Sequence, residues 1–175
     1  MPEKKQGSMV KKGPDGKRRR LLGGALAGIG VAALGSNRVS AREEPGVDDL
    51  HFPGDEPEHK LVYQFNKADL GYQDHVIFSV GEMLRKYGDN IKIVVVAFAE
   101  GIHILGKQPA REVKEEIRQR ISSLAHYGVE FHACGNTMQS LKWTEEDLVD
   151  FAQVVQVGAA DLMELQEQGY SYISW

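Results

Sequence analysis

Cysteine occurs once in this 175-residue chain, at Cys134, within the stretch VEFHACGNTMQ. A single thiol cannot form a disulfide within its own chain, so it is either a small buried hydrophobe or a reactive group. A reactive thiol acts as the thiolate, and a free cysteine has a pKa near 8.5. Neighbouring groups that stabilise the anion would therefore mark Cys134 as functional.

Three features of the sequence offer such stabilisation. Residues 135–137 follow the cysteine and supply backbone N–H groups in a predicted turn, which can hold an anion. His132 lies two residues earlier and, in a strand, points to the same side as Cys134. His103 lies in a loop after another predicted strand and could reach the thiol from there. We predict Cys134, His132 and His103 as the catalytic residues, with the thiol pKa below that of a free cysteine.

Other kinds of cysteine or metal chemistry match the sequence less well. Phosphatase and sulfurtransferase loops that cradle an anion place an arginine shortly after the cysteine, where this chain has Gln139 and Ser140. Disulfide oxidoreductases use a Cys-x-x-Cys pair, which a single cysteine excludes. A Cys–His hydrolase stays formally open, without a family signature. The His132-x-Cys134 spacing matches no standard zinc motif, so neither a metal site nor a cofactor is predicted.

The elements that position these residues alternate between strand-like and helix-like patterns. Strands are predicted at residues 60–65, 91–99 and 129–134, and further strands within QVVQVG and YSYISW. Helices are predicted in DHVIFSVGEMLRKYG with Asp74 as N-cap, after Pro109, in a short stretch opened by a capping box at Thr144, and in AADLMELQEQG. The pattern predicts an α/β fold: a single-domain, open, mainly parallel sheet of about five strands with helices on both faces.

The carboxyl edge of this sheet is where a site is expected. Right-handed crossovers bring the carboxyl ends of parallel strands to one edge, and ligands of open α/β sheets bind there. Glu100 at that edge is either a general base, an anchor for His103, or a solvated carboxylate. The predicted ligand-binding residues at this edge are Asn66, Glu100, Gly101, Gly135, Asn136 and Thr137.

Four stretches of this domain resemble the DsrE-like family of small α/β sulfur-relay proteins. They are FN after the first strand, VVVAFAEGI, VEFHACGNTM, and VVQVGAADLMELQEQGYSYI. The resemblance spans residues 60 to 174 and implies the DsrE-like fold. In some members, a cysteine at the end of this strand carries sulfur as a persulfide; others lack it or have no known role. Subunits of this fold commonly associate into dimers, trimers or larger rings.

The N-terminal segment predicts export, although the best-understood members of the family work in the cytoplasm. A basic stretch ending in Arg18, Arg19 and Arg20 precedes the short apolar run LLGGALAGIGVAALG, and RVSA follows as a cleavage site. The paired arginines before Leu-Leu resemble the twin-arginine signal. We predict a signal peptide at residues 1–41 and a periplasmic protein. An uncleaved anchor, an ordinary secretion signal and a start at Met9 instead of Met1 stay open.

The charge of the predicted mature chain argues against two classes of partner. Residues 1–41 contain nine of the 21 Lys and Arg residues and two of the 25 Asp and Glu residues, so 12 basic and 23 acidic residues are left. A net charge of −11 disfavours binding to nucleic acid or to an anionic membrane surface. Residues 42–59 are acidic and proline-rich and predict a flexible leader, followed by the DsrE-like domain at 60–175.

Two functions are therefore predicted. The first is an exported sulfur carrier or sulfurtransferase-like protein that holds persulfide sulfur on Cys134 and exchanges it with a donor or acceptor protein. The process would be oxidation or trafficking of reduced sulfur compounds. The alternative is a non-catalytic module that binds a small ligand or a partner at the same edge. A homo-oligomer is also predicted, because Tyr170, Tyr172 and Trp175 crowd the last strand and should be exposed.

Overall fold

Five parallel strands form a single open sheet in the order β4-β3-β2-β1-β5, in a computed structural model that describes residues 54–175. The pairings β1–β2, β2–β3, β3–β4 and β1–β5 are all parallel. This confirms the predicted α/β fold. The strands are β1 (His59–Phe65), β2 (Ile91–Ala97), β3 (Glu130–Cys134), β4 (Ala152–Val155) and β5 (Ser171–Ile173).

Four α-helices connect the strands. They are α1 (Leu70–Tyr87), α2 (Glu115–His126), α3 (Gly135–Leu141) and α4 (Gly158–Glu167), and three 3-10 segments lie at Gly88–Asn90, Ala99–Leu105 and Glu145–Asp147. The predicted capping box at Thr144 is present, but it opens a single 3-10 turn. The predicted turn after Cys134 is wrong, because α3 begins there directly.

The start of α1 differs from the prediction. Asp69 is the N-cap, and its Oδ1 accepts a hydrogen bond from the Tyr72 N–H at 2.8 Å. The predicted cap Asp74 lies inside the helix and pairs with Lys114 at 2.6 Å. The apolar spacing from which the helix is predicted begins at Val76, after a first turn, LGYQ, that contains a glycine and a glutamine.

Helices cover both faces of the sheet, as predicted. On one face, the side chains of α1 and α2 and of the 3-10 segment Ala99–Leu105 form the larger core with alternate residues of the strands. On the other face, α4 supplies Leu162 and Leu165, which pack on Val62, Val94 and Val96. Residues in parallel strands alternate between these faces, so β3 directs Phe131 and Ala133 to the larger core and Glu130, His132 and Cys134 toward α4.

The chain ends differ partly from expectation. Tyr170 is buried in the core beneath α4, so its predicted exposure is wrong, whereas Tyr172 and Trp175 are exposed. β5 pairs only with β1 and is an edge strand, as predicted. His59, the last residue of the predicted leader, begins β1. The predicted signal peptide and residues 42–53 lie outside the described residues. From residue 54 onward, no helix combines the length and apolarity needed to cross a membrane.

Candidate functional site

Cys134 lies where two helices begin. It is the last residue of β3 and the N-cap of α3. Its Sγ accepts a hydrogen bond from the backbone N–H of Gly158, the first residue of α4, at 3.2 Å. The N-terminus of an α-helix carries unpaired N–H groups and a partial positive charge, both of which favour an anion. The structure therefore places the sulfur where a thiolate is stabilised.

The pKa of Cys134 is the outcome of opposing effects. Burial raises it, because a thiolate is poorly solvated there. Hydrogen bonds from the Gly158 N–H, from the side chain and backbone of Thr137 and from the Asn136 N–H outweigh burial and hold the pKa below that of an ordinary cysteine. The Asn136 N–H also donates to the Gln156 carbonyl at 3.2 Å, so its effect on the sulfur is shared.

Gly158 is the site residue that sequence reasoning missed. A Cβ atom at this position would lie 3.1 Å from the Cβ of Cys134 and 3.3 Å from that of Phe98. Only a glycine lets the first turn of α4 approach the sulfur this closely. The available signal was the glycine itself, placed between the fourth predicted strand and the last predicted helix, at the same sheet edge as Cys134.

Thr137 is oriented by its neighbours as well as by its helix. Its Oγ1 accepts a hydrogen bond from the Ala99 N–H at 3.1 Å, which leaves the hydroxyl proton available to the sulfur. Ala99 has a φ of 49°, a left-handed conformation that is uncommon for a residue other than glycine. Such backbone strain concentrates at functional sites. The loop after β2 therefore contributes to the cysteine site through Thr137.

Gly101 has an architectural role at the same sheet edge. A Cβ atom there would lie 2.2 Å from the carbonyl oxygen of Phe65 and 2.7 Å from the backbone nitrogen of Asn66. The 3-10 segment after β2 therefore packs directly on the end of β1. Gly135 makes a similar approach, since its Cβ would lie 3.1 Å from the Val155 carbonyl oxygen. Both predicted ligand-binding glycines bring backbone segments together at the carboxyl edge.

Asn66 is held by Tyr72. Its backbone N–H donates to the Tyr72 hydroxyl at 3.2 Å, and its Oδ1 lies 3.3 Å from the same oxygen. The Tyr72 hydroxyl also donates to the Gln64 carbonyl at 2.9 Å. These contacts fix the turn between β1 and α1.

His103 is buried in the 3-10 segment after β2, whose residues Ile102, Ile104 and Leu105 belong to the larger core. It is 5% exposed, and its ring meets Trp143 edge-on with the centroids 5.2 Å apart. Burial lowers the pKa of His103, the positive charge of Arg111 lowers it further, and Glu100 raises it. Its Nδ1 has no hydrogen-bond partner among residues 54–175. Of the three predicted roles of Glu100, the structure shows an exposed carboxylate that pairs with Arg111 at 2.6 Å.

His132 faces α4, as its spacing from Cys134 predicts. Its Nδ1 lies 2.8 Å from Oδ2 of Asp161, and its Nε2 lies 3.5 Å from Oε2 of Glu130. The second distance is an ion-pair distance at the outer limit of hydrogen bonding, and Nε2 is otherwise unpartnered within the described chain. Both ring nitrogens of His132 are therefore directed at carboxylates.

The structure thus brings part of the predicted site together. Asn136 and Thr137 reach the sulfur, Gly135 begins α3 beside it, and His132 lies two residues before Cys134 on the same face of β3. Asn66, Glu100 and His103 make their closest polar or ring contacts with Tyr72, Arg111 and Trp143 instead. Within residues 54–175, no three side chains of His, Cys, Asp or Glu converge as metal ligands.

Comparison with known proteins assigns the whole described domain to one protein family. The model of the DsrE/DsrF-like family matches residues 53–175. The protein of unknown function MTH1491 from Methanobacterium thermoautotrophicum is 24% identical with a TM-score of 0.61, over 67% of this chain and 100% of that one. The ychN protein from E. coli is 13% identical with a TM-score of 0.49, over 67% of this chain and 99% of that one. No curated protein matches. Because the family match spans every residue that the structure describes, the chain belongs to the DsrE/DsrF-like family.

Proposed function

We propose that this protein carries sulfur as a persulfide on Cys134, in the oxidation or trafficking of reduced sulfur compounds. Membership of the DsrE/DsrF-like family implies a sulfur-relay-type role. The observation that carries the proposal is the hydrogen bond from the Gly158 N–H to Sγ of Cys134 at 3.2 Å. It holds the sulfur at the start of α4, where the anionic form needed for sulfur transfer is favoured.

The chemistry is a nucleophilic substitution at sulfur. With thiosulfate as donor, the Cys134 thiolate attacks the outer, sulfane sulfur. A new S–S bond forms to Cys134, the S–S bond of thiosulfate breaks, and sulfite leaves with the electron pair. The product is a cysteine persulfide anion, which a thiolate of an acceptor protein can attack in turn. The same backbone N–H groups that hold the thiolate can hold the persulfide.

The alternative function has an observation in its favour. Cys134 is 5% exposed, and reactive cysteines are usually partly accessible. A buried and unreactive Cys134 would fit a non-catalytic module that binds a small ligand or a partner at the carboxyl edge. The two proposals differ in whether the folded protein takes up sulfur.

Mass spectrometry after incubation with thiosulfate or polysulfide separates these functions. A sulfur carrier gains the mass of one sulfur atom on Cys134 and loses it on treatment with a reductant. The Cys134→Ser variant gains none. If the folded wild type stays unmodified and Cys134 reacts with iodoacetamide only after unfolding, the carrier proposal is wrong and the binding module is favoured.

We further propose that the protein is exported and acts in the periplasm. The support is the sequence of residues 1–41, with its arginine pair, short apolar run and cleavage site. The partners are then a sulfur donor or acceptor protein in the same compartment.

A homo-oligomer is proposed from the edge strand β5. Tyr172 and Trp175 at this edge are 40% and 55% exposed, and a second copy would cover them. A monomeric mass by light scattering at micromolar concentration would contradict this proposal.

A further inference from the structure

The pair Asp161–His132 lies beside the cysteine site, and neither side chain is among the hydrogen-bond donors to the sulfur. The 2.8 Å contact joins Nδ1 of His132 on β3 to a carboxylate in the first turn of α4. Both side chains are largely buried, with 10% of the His132 side chain and 14% of the Asp161 side chain exposed. The persulfide chemistry uses neither group, so the pair needs another explanation.

The same turn of α4 therefore meets β3 at two points. Gly158 begins the turn and donates its N–H to Sγ of Cys134, and Asp161 completes the turn and binds His132. Cys134 and His132 lie two residues apart on the same face of β3. The hydrogen bond from Gly158 holds the sulfur of Cys134. The contact between Asp161 and His132 holds the helix turn to which Gly158 belongs.

The start of α4 is not stabilised by an N-cap side chain. Its N-cap residue is Val157, and no side chain caps the helix there. Ser, Thr, Asp or Asn at an N-cap normally fixes the first turn by bonding its N–H groups. In α4, the contacts of the first turn with β3 take over that role.

We propose that Asp161 and His132 are a positioning pair, which holds the first turn of α4 so that the Gly158 N–H is directed at Cys134. They act on the thiol through the helix and touch neither the sulfur nor a substrate. The proposal rests on the proposed function only in that a positioned thiolate is useful for sulfur transfer.

The sign of one substitution distinguishes positioning from simple electrostatics. A carboxylate near a thiol disfavours the thiolate, so removal of the Asp161 charge alone would lower the pKa of Cys134. Loss of the contact between Asp161 and His132 would release the Gly158 N–H and raise that pKa. Asp161→Ala removes both the charge and this contact. Asp161→Asn removes the charge but keeps an oxygen that accepts a hydrogen bond from Nδ1–H of His132.

The measurement is the pH dependence of iodoacetamide labelling on the folded full-length chain. In Asp161→Ala we expect the weakened hydrogen bond, an effect of up to about 0.4 to 1 pH unit, to outweigh the lost charge, so that the labelling midpoint moves upward. Asp161→Asn should leave the midpoint at or below that of the wild type. The control is Glu164→Ala, an exposed carboxylate on the same helix, which should leave the midpoint unchanged.

Hydrogen exchange supplies a second measurement that does not depend on labelling. His132→Ala breaks the same contact and should speed exchange of the Gly158 amide severalfold relative to the amides of α1. His132→Ala also tests the positioning pair if Asp161→Ala fails to fold. The Gly158 amide of the double variant should exchange no faster than that of His132→Ala alone, because both residues act through one contact.

The outcomes separate this inference from the proposed function. A wild-type midpoint well below 8.5 that falls or stays constant in Asp161→Ala overturns the positioning pair and leaves the carrier intact. An unchanged exchange rate at Gly158 in His132→Ala overturns it as well. A persulfide that forms in the wild type but not in Cys134→Ser tests the carrier alone.

Discussion

Backbone N–H groups supply most of the hydrogen bonds at Cys134, although histidines were the natural candidates in the sequence. The Gly158 N–H is the largest of the effects that favour the thiolate, followed by the groups of Thr137. His132 and His103 are turned to other partners. Because a backbone amide is present at every residue, its role depends on the fold and leaves little trace in the sequence.

Gly158→Ala tests the contribution of the helix terminus directly. The added methyl group would lie within 3.3 Å of both Cys134 and Phe98, so the first turn of α4 must move away from the sulfur. We expect the iodoacetamide labelling midpoint of Cys134 to rise by about 0.4 to 1 pH unit. The free energy of unfolding should fall by about 1 to 3 kcal/mol, as for an overpacked core.

Gly81→Ala is the matched control for that substitution. Gly81 lies in α1, and a Cβ atom there would have no other heavy atom within 4 Å. Because alanine favours helix over glycine, this variant should be more stable by about 0.5 to 1 kcal/mol, with an unchanged labelling midpoint. A midpoint that rises equally in both variants would show that the effect is not local to the sulfur.

His103 should make the domain less stable in mild acid. Burial and Arg111 lower its pKa in the folded state below the value near 6.5 of the unfolded chain. Between these two values the unfolded chain binds more protons, so the free energy of unfolding falls as the pH falls through 6.5. In His103→Leu this contribution is absent. We expect the loss of stability between about pH 7.5 and about pH 5.5 to be smaller in that variant than in the wild type, by urea unfolding.

The comparison between His103→Leu and the wild type at the two pH values isolates the effect of the imidazole. If His103→Leu and the wild type lose stability equally on acidification, the buried imidazole is not the cause.

At the scale of elements, the strands can be predicted directly from the types of their side chains. β2 is β-branched or apolar at nearly every position and is buried along most of its length, so its assignment needs no tertiary information. The starts of helices are harder to predict. Asp69 precedes a first turn, LGYQ, that includes a glycine and a glutamine, and the helical apolar pattern becomes clear only after that turn.

Substitution of the two aspartates distinguishes the true cap of α1. Asp69→Ala removes the acceptor of the Tyr72 N–H, and we expect the free energy of unfolding to fall by about 0.5 to 2 kcal/mol. Asp74→Ala removes only an ion pair with Lys114 at the protein surface and should have the smaller effect. Equal losses in urea unfolding would mean that Asp69 does not act as the cap.

At the scale of the whole molecule, parallel topology made the site predictable in part. The carboxyl ends of β1, β2 and β3 meet at one edge, which is why Asn66, Glu100 and Cys134 were grouped from sequence alone. The topology does not determine which face of the sheet each side chain reaches. His103 is buried beside the larger core, whereas Cys134 faces α4. This division depends on the 3-10 segment after β2, which has no strong sequence signal.

The proposed export also concerns the whole chain. If residues 1–41 are a twin-arginine signal, Arg18→Lys combined with Arg19→Lys should reduce the periplasmic yield strongly, because that route requires the arginine pair. The control is Lys11→Arg combined with Lys12→Arg, which also exchanges two basic residues without a change of charge. This control should leave the periplasmic yield unchanged. Cell fractionation measures both. Unchanged yield without the arginine pair would exclude this route.

The sheet order has a consequence for how the protein is made. β1 lies between β2, which follows it closely in the sequence, and β5, which is synthesised last. Strands β1 to β4 can pair in the order in which the ribosome releases them, but one side of β1 stays open until residues 171–173 emerge. During that interval its edge can pair with another nascent chain. A chaperone that holds this edge would therefore increase the yield of folded protein most when translation is slow near its end.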